Sequence, residues 1–364
     1  MASGPEPATI RVSVPGKTIL CGEHAAVYGH PALVAAIDRR LEARLTPVSG
    51  RTGDVQIAVP QLDCHETVSW SKIHAHTDRT RSRWLAYRED GDARHLVAAD
   101  GDPAHLVKVA LGEAAAVCGG EPPFVFDLHV ASALPIGAGF GSSAAAAVAI
   151  AAALLVAMGH EPTVDALMPI ALDIERRQHG QPSGVDPATV LRGGVVWATR
   201  EEGELKVEPI DLRAPLAGLT LIHTGTPAET TGEVVAAVRR RLERDPGLET
   251  ELERLGTITH DFRALLEAPD LDPDALLTKM RNAQTALERL GVVPPAVQAL
   301  ARAVEAAGGA AKISGAGALS DPAAGAVIVY HPERHALDGL PELATHRRLD
   351  THFGAEGLRI LPMA

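Results

Sequence analysis

The stretch "PIGAGFGSSAAAAVAIAAALL", Pro135 to Leu155, constrains the fold more than any other. It places Gly137, Gly139 and Gly141 directly ahead of two serines and a run of alanines and small aliphatics. Glycines let backbone N–H groups approach a ligand with no Cβ in the way. A helix that begins near Ser142 presents unpaired N–H donors and a partial positive charge at its start. Together they form a cradle for phosphates. Ser142 and Ser143 are placed to cap that helix, and one hydroxyl can instead ligate a Mg²⁺ carried by a nucleotide. The alanines let the helix pack tightly into a core. The same residues also describe an ordinary helix with a serine cap, so this stretch alone leaves the choice open.

Known nucleotide fingerprints narrow that choice. "PGKT", Pro15 to Thr18, has the Gly-Lys-Thr end of a P-loop, but the first P-loop glycine falls on Arg11. The dinucleotide pattern G-x-G-x-x-G meets Ser142 at its last position. A second glycine loop, "AKISGAGALSD", fails it at Ser320.

The 364 residues are too many for one small core and imply two domains. Strands dominate the first half and helices the second, so the expected class is α+β, divided as 1–215 and 216–364. Aromatics make up only 3%, which leaves the core to Ala, Val, Leu and Ile. A net charge of −12 argues against a general nucleic-acid binder, though a local pocket can still hold an anionic small molecule. Cys21, Cys64 and Cys118 are odd in number and widely spaced, which implies no disulfide framework and fits a reducing cytoplasm. The first residues carry no signal pattern, and the alanine run is too short and too weakly hydrophobic for a membrane span.

Along the chain, "ATIRVSVPGKTILCGE" reads as strand, Pro-Gly break, strand. The 51–101 segment is polar and poorly periodic, as in an elaborated hairpin or surface insertion. "FVFDLHVASALP" is a strand leading into the glycine loop. A helix fits "VDALMPIALDIERRQHG" and ends at Gly180. From Thr231 to about Gly308 the pattern is mainly helical, and the Arg239–Arg241 run reads as a solvated face. Cys64, His65, His74 and His76 match no ordinary zinc spacing.

Two further clusters carry chemistry. In "IERRQHGQPSGVDPAT", the turn through Pro182, Ser183 and Gly184 presents Asp186, a carboxylate suited to accepting a proton. In "PGKTILCGEHAAVYGHPAL", Lys17 follows a Pro-Gly break, and Glu23 with His24 ends the strand. Lys17 can steer a phosphate or lower the pKa of a hydroxyl nearby. Taken alone, each cluster is read more readily as structural: an Asx-turn residue holding its own loop, and a solvated lysine with a structural histidine.

Taken in order, "PGKTILCGEHAAVYGHPAL", "LPIGAGFGSSAA", "HGQPSGVD" and "AKISGAGALSD" resemble the successive signatures of the GHMP kinases, and within them most closely those of the mevalonate kinases. The resemblance implies a two-domain GHMP-kinase-like fold, with ATP and substrate bound in the cleft between domains. It implies that Asp186 faces the substrate hydroxyl as catalytic carboxylate and that Lys17 lowers that hydroxyl's pKa. Ser143 and Glu175 would hold Mg²⁺. Pro135, Gly137, Ala138, Gly139, Gly141, Ser142 and Ser143, with Gly315 and Gly317, would form the ATP site. Glu23 and His24 would line the substrate region. The implied reaction is ATP-dependent phosphorylation of mevalonate, with no nucleic-acid or membrane partner, and the resemblance admits a homodimer.

The chain departs from the family's pattern in two places. Ala318, Leu319, Ser320 and Asp321 stand where the last motif usually continues as glycines, and Ala146 where animal relatives have an aromatic. An acidic group beside a phosphate is unfavourable, so Asp321 is expected to turn away and Leu319 to pack inward. The acceptor is not fixed by these motifs. A related kinase for phosphomevalonate, a sugar or another small hydroxylated acid stays open, as does a nucleotide-binding protein without turnover.

Overall fold

Twelve strands in two sheets organise the described part of the chain, with helices packed on both sheets. The computed structural model describes residues 8–49, 53–96, 101–213, 215–320 and 322–362.

The first sheet begins with β1 (Ile10–Cys21) and β2 (Ala32–Pro47), paired antiparallel. β2 is long enough to serve two partners on its other edge. Its start pairs with β6 (Val195–Glu201), which continues into β7 (Glu204–Ile210). Its end pairs with β5 (Phe126–Ser132). The hairpin β3 (Asp54–Val59) and β4 (Cys64–Ser69) completes that side, with β3 parallel to β5. The expected break in β1 is absent. Pro15 and Gly16 are absorbed as a register shift, which keeps one continuous strand although proline offers no ladder N–H.

Residues 51–52 and 97–100 of the 51–101 segment lie outside the described residues; the part between them, 53–96, is more ordered than its composition implies. After the β3–β4 hairpin it forms α1 (Trp70–Asp90), capped by Ser69 and ended by Gly91 in a left-handed conformation. Its buried face is Trp70, Ile73, Thr77 and Thr80. The spacing is helical, but half of that face is threonine, which hides the apolar period.

The alanine-rich stretch becomes α3 (Ser142–Ala157), preceded by α2 (His105–Val117). Every residue from Ala144 to Leu155 is buried. α3 lies on β1 and β2 and is covered by α2 and α4 (Val164–His179). Side chains this small let helix and sheet approach closely, which fixes the loop at the helix start. α5 (Val185–Arg192) follows the Gly180 reversal.

The second sheet has the order β11-β8-β10-β9: β8 (Leu219–His223), β9 (Ala310–Ser314), β10 (Ala326–Tyr330) and β11 (Arg347–Leu349), all antiparallel. The helices of this half are α6 (Thr231–Arg244), α7 (Glu249–Glu267), α8 (Pro273–Leu290) and α9 (Pro295–Ala306); α8 and α9 pack on β9, while α7 packs on α8 and reaches β1, β2 and β7 of the first sheet. α6 opens with a capping box between Thr230 and Glu233. The Arg239–Arg241 run is not wholly solvated. Arg241 donates to the Leu290 carbonyl at 2.7 Å and to that of Gly291, satisfying the end of α8. The last strand, β12 (Arg359–Leu361), returns to the first sheet beside β1. One hydrophobic core runs through both sheets. No helix among the described residues is long and apolar enough to cross a membrane.

Candidate active site

The glycine loop between β5 and α3 takes the shape its residues require. Gly137, Gly139 and Gly141 have φ of 70°, 83° and 72°. Gly141 is itself the N-cap of α3, with no side chain capping the helix, so the expected serine cap is not formed. Ser142 and Ser143 are instead the first two helical residues. The cap must be glycine for two reasons: its backbone is left-handed, and a Cβ there would lie 2.7 Å from Lys17 Cγ. The N–H donors of the first turn therefore remain available to a ligand.

The second glycine motif faces the first. A Cβ on Gly139 would lie 3.3 Å from the Ser314 carbonyl oxygen, and one on Gly315 would lie 4.0 Å from Gly139 Cα. Gly317 is turned elsewhere, buried against the Val292 carbonyl. Ala318 donates its N–H to the same carbonyl at 3.0 Å. Ala318 and Leu319 avoid positive φ, and Leu319 packs against the core. Asp321 lies outside the described residues.

Lys17 and Asp186 meet beside this loop. Lys17 Nζ is 3.0 Å from Asp186 Oδ2, and the two side chains are 5% and 32% exposed. The Lys17 N–H donates to the Phe140 carbonyl at 2.9 Å, which ties β1 to the glycine loop. Asp186 does not sit on the turn itself. It occupies the first turn of α5, after Gly184 as N-cap, where the helix start favours its charge. The Arg200 guanidinium donates to the Ser183 carbonyl at 3.0 Å and steadies the preceding turn.

Glu175 lies at the back of the same site, 3% exposed. Its Oε1 has no partner among the described residues. Burial pushes its pKa up to about 7, and the Asp186 charge adds to the rise; the Ser143 hydroxyl and Lys17 oppose it. His179, one turn further along α4, has its Nε2 3.7 Å from Glu175 Oε2 and 3.4 Å from Ser143 Oγ. It was not singled out in the sequence, although it stands in the "HGQPSGVD" signature. A buried, unpartnered carboxylate oxygen next to a hydroxyl is a hard-oxygen donor set, so Ser143 and Glu175 fit Mg²⁺.

Glu23 and His24 form the third part. Glu23 is fully buried and pairs with Lys312 of β9, leaving Oε2 without a partner among the described residues. Burial raises the Glu23 pKa, and Lys312 counteracts it. His24 has φ 59°, a strained backbone for a non-glycine residue. Its ring nitrogen Nε2 lies 2.9 Å from the Ala316 carbonyl, while Nδ1 is buried without a partner among the described residues. Burial lowers its pKa, which favours the neutral imidazole. Ser314 continues the link between sheets: its Oγ is 2.8 Å from Thr18 Oγ1 and accepts from the Ile19 N–H at 2.8 Å. Lys312 and Ser314 were missed in the sequence. The available signal was a lysine in the middle of a strand otherwise free of charge.

The GHMP kinases N terminal domain family matches residues 105–194. The mevalonate kinase of Pyrococcus furiosus is 31% identical over 96% of this chain and 97% of its own length. That of Pyrococcus horikoshii is 29% identical over 96% and 97%. Among solved structures, the Methanococcus jannaschii mevalonate kinase superposes with a TM-score of 0.75 at 18% identity, covering 98% of this chain and all of that one.

Proposed function

The chain belongs to the mevalonate kinase family of the GHMP kinases, and from that premise we propose how its own residues carry out ATP-dependent phosphorylation of mevalonate. The products are 5-phosphomevalonate and ADP. The observation that carries the assignment of roles is the Lys17–Asp186 pair at 3.0 Å, set beside the glycine loop and the unpartnered Glu175 oxygen.

Phosphoryl transfer needs positioning and charge neutralisation more than covalent help from the protein. The glycine loop and the free N–H groups at the start of α3 hold the ATP phosphates. Ser143 and Glu175 would hold Mg²⁺, which when bound would supply positive charge against the negative charge of those phosphates. The substrate hydroxyl enters next to Lys17 and Asp186. Asp186 accepts its proton while the Lys17 ammonium stabilises the developing alkoxide. The hydroxyl oxygen bonds to the γ-phosphorus, the bond from that phosphorus to the bridging oxygen breaks, and ADP leaves with the electron pair. The unpartnered Glu23 oxygen and His24 Nδ1 are both acceptors, so they can take a hydrogen bond from a hydroxyl of the substrate but not from its carboxylate.

ADP release, measured with Mg·ATP and a panel of mevalonate, phosphomevalonate, galactose and homoserine, tests the reading. Turnover with mevalonate is expected. Turnover on another acceptor with none on mevalonate would overturn it.

A further inference from the structure

We propose that Trp84 of α1 is a positioning residue for the catalytic turn, an inference that rests on the roles given above to Glu175 and Asp186. The Trp84 indole N–H donates to the Gly180 carbonyl at 2.9 Å. That carbonyl belongs to the peptide at which α4 ends and the chain reverses toward Asp186. Carbonyls at a helix end have no partner within their own helix, so a donor from outside decides where this one points. Upstream of it on α4 lie Glu175 and His179. Downstream, after the 181–184 turn, lies Asp186. The indole thus holds the one segment that sets the metal-binding carboxylate relative to the proton acceptor.

The bracket is built to be stiff. Gly180 has φ 74° and ψ −70°, and a Cβ there would lie 2.5 Å from Tyr87 Cε1 and 2.7 Å from Leu96 Cδ1. The end of α1 therefore closes directly over this backbone. The Trp84 ring is covered by the Arg177 and Arg88 guanidiniums at 4.9 and 5.1 Å from its centroid. Arg177, buried on α4, donates to Glu113 of α2 at 3.2 Å. Arg81 of α1 grips the same carboxylate with donors at 2.8 and 3.1 Å. α1, α2 and α4 are thereby joined through a single buried carboxylate, and Trp84 passes that constraint to Gly180. This gives the 51–101 segment a task in the reaction that its polar composition does not disclose.

Replacing Trp84 by its benzothiophene isostere removes only the N–H, and W84F removes the N–H together with part of the ring. A misplacement of about 1 Å at a reacting centre can cost on the order of 100-fold. Both variants should lose roughly 10- to 100-fold in kcat while the KM for ATP stays within about twofold and the thermal midpoint of the isostere variant falls by only a few degrees, leaving it fully folded at the assay temperature. A wild-type kcat for the isostere variant, or a fall in kcat matched by an equal loss of folded protein, would overturn the proposal. The comparison uses whichever acceptor in the panel the wild type phosphorylates. Failure of mevalonate as acceptor would then correct the function above and leave this result readable.

Discussion

Glu23 and Lys312, 289 residues apart, form an ion pair in which the side chains are 0% and 1% exposed. Lys312 also donates to the Ile313 carbonyl at 2.7 Å, so its donors are spread over both the strand and the carboxylate. The pair joins the end of β1 to β9, immediately before the second glycine motif. A buried pair of this kind adds little net stability, because both charges lose their water. What it fixes is register: it seats Glu23 and the strained His24 against the loop that starts at Gly315.

Removing one partner exposes that cost. Lys312→Met leaves a carboxylate buried without a counter-charge and should destabilise the chain by about 3–5 kcal/mol. The double variant Glu23→Gln with Lys312→Met should recover most of the loss, since neither buried charge remains. Urea denaturation of the three proteins checks this. A Lys312→Met variant as stable as the wild type would show that the pair is not needed to hold the two segments.

Asp186→Asn should keep the fold and ATP binding. Lys17 is only 5% exposed, so Asn at position 186 leaves a buried ammonium without its counter-charge and should cost on the order of 1–3 kcal/mol of stability. Turnover should fall by ~10²–10⁴-fold, the usual contribution of a positioned proton acceptor. A variant that retained more than about a tenth of wild-type kcat would remove Asp186 from this role.

Glu175 makes stability depend on pH in a direction opposite to the usual carboxylate. Its pKa rises from an ordinary 4.5 to about 7, mainly through burial. Between those values the folded chain keeps a proton that the unfolded chain has released. The stability attached to this group is therefore full below about 4.5 and is lost as pH rises through about 7. Glu175→Gln escapes that loss, so without Mg²⁺ it should gain on the order of 1–3 kcal/mol over the wild type between pH 5 and pH 8. The same variant, and Ser143→Ala, should need more Mg²⁺ for half-maximal activity. Equal stability differences at both pH values, or Mg²⁺ curves that overlay the wild type, would count against this arrangement.

Glu175, five residues before Gly180, is reached only through the family resemblance, whereas Lys17, Ser143 and Asp186 are legible as candidates because each sits beside glycine or proline punctuation that sets the backbone locally. The α3 helix is legible for the same reason. Lys312 and Ser314 are not, because their partners Glu23 and Thr18 come from the opposite end of the chain, and nothing nearby in sequence calls for a buried charge. α1 is hidden by its threonine-lined face. The serine cap was misread because Ser142 has the right chemistry, while the passage of Lys17 across Gly141 is a tertiary contact that overrides it. The Pro-Gly break failed similarly: pairing with β2 on one side and the glycine loop on the other carries β1 through it.

The altered end of the second glycine motif has its own anchor. Ser320 donates its N–H and its hydroxyl to Glu229 Oε1, at 2.9 and 2.7 Å. Those donors, the Ser320 hydroxyl first, hold the Glu229 carboxylate below the usual range, so it is charged at neutral pH. A glycine run would leave this loop free to adopt several backbone conformations. Here Ala318 is tied to Val292, and Ser320 to the segment that leads into α6. The loop is thus held by side-chain and backbone hydrogen bonds where the family's pattern relies on glycine. Removing the anchor should loosen the wall opposite Gly139 without touching Lys17 or Asp186. Glu229→Ala should accordingly raise the KM for ATP by roughly three- to tenfold, about 0.6–1.4 kcal/mol of binding, with kcat nearly unchanged. Glu229→Gln keeps one acceptor oxygen and should fall between the two. Steady-state kinetics with varied ATP decide the matter: an unchanged KM in Glu229→Ala would mean that the loop holds its shape without the anchor.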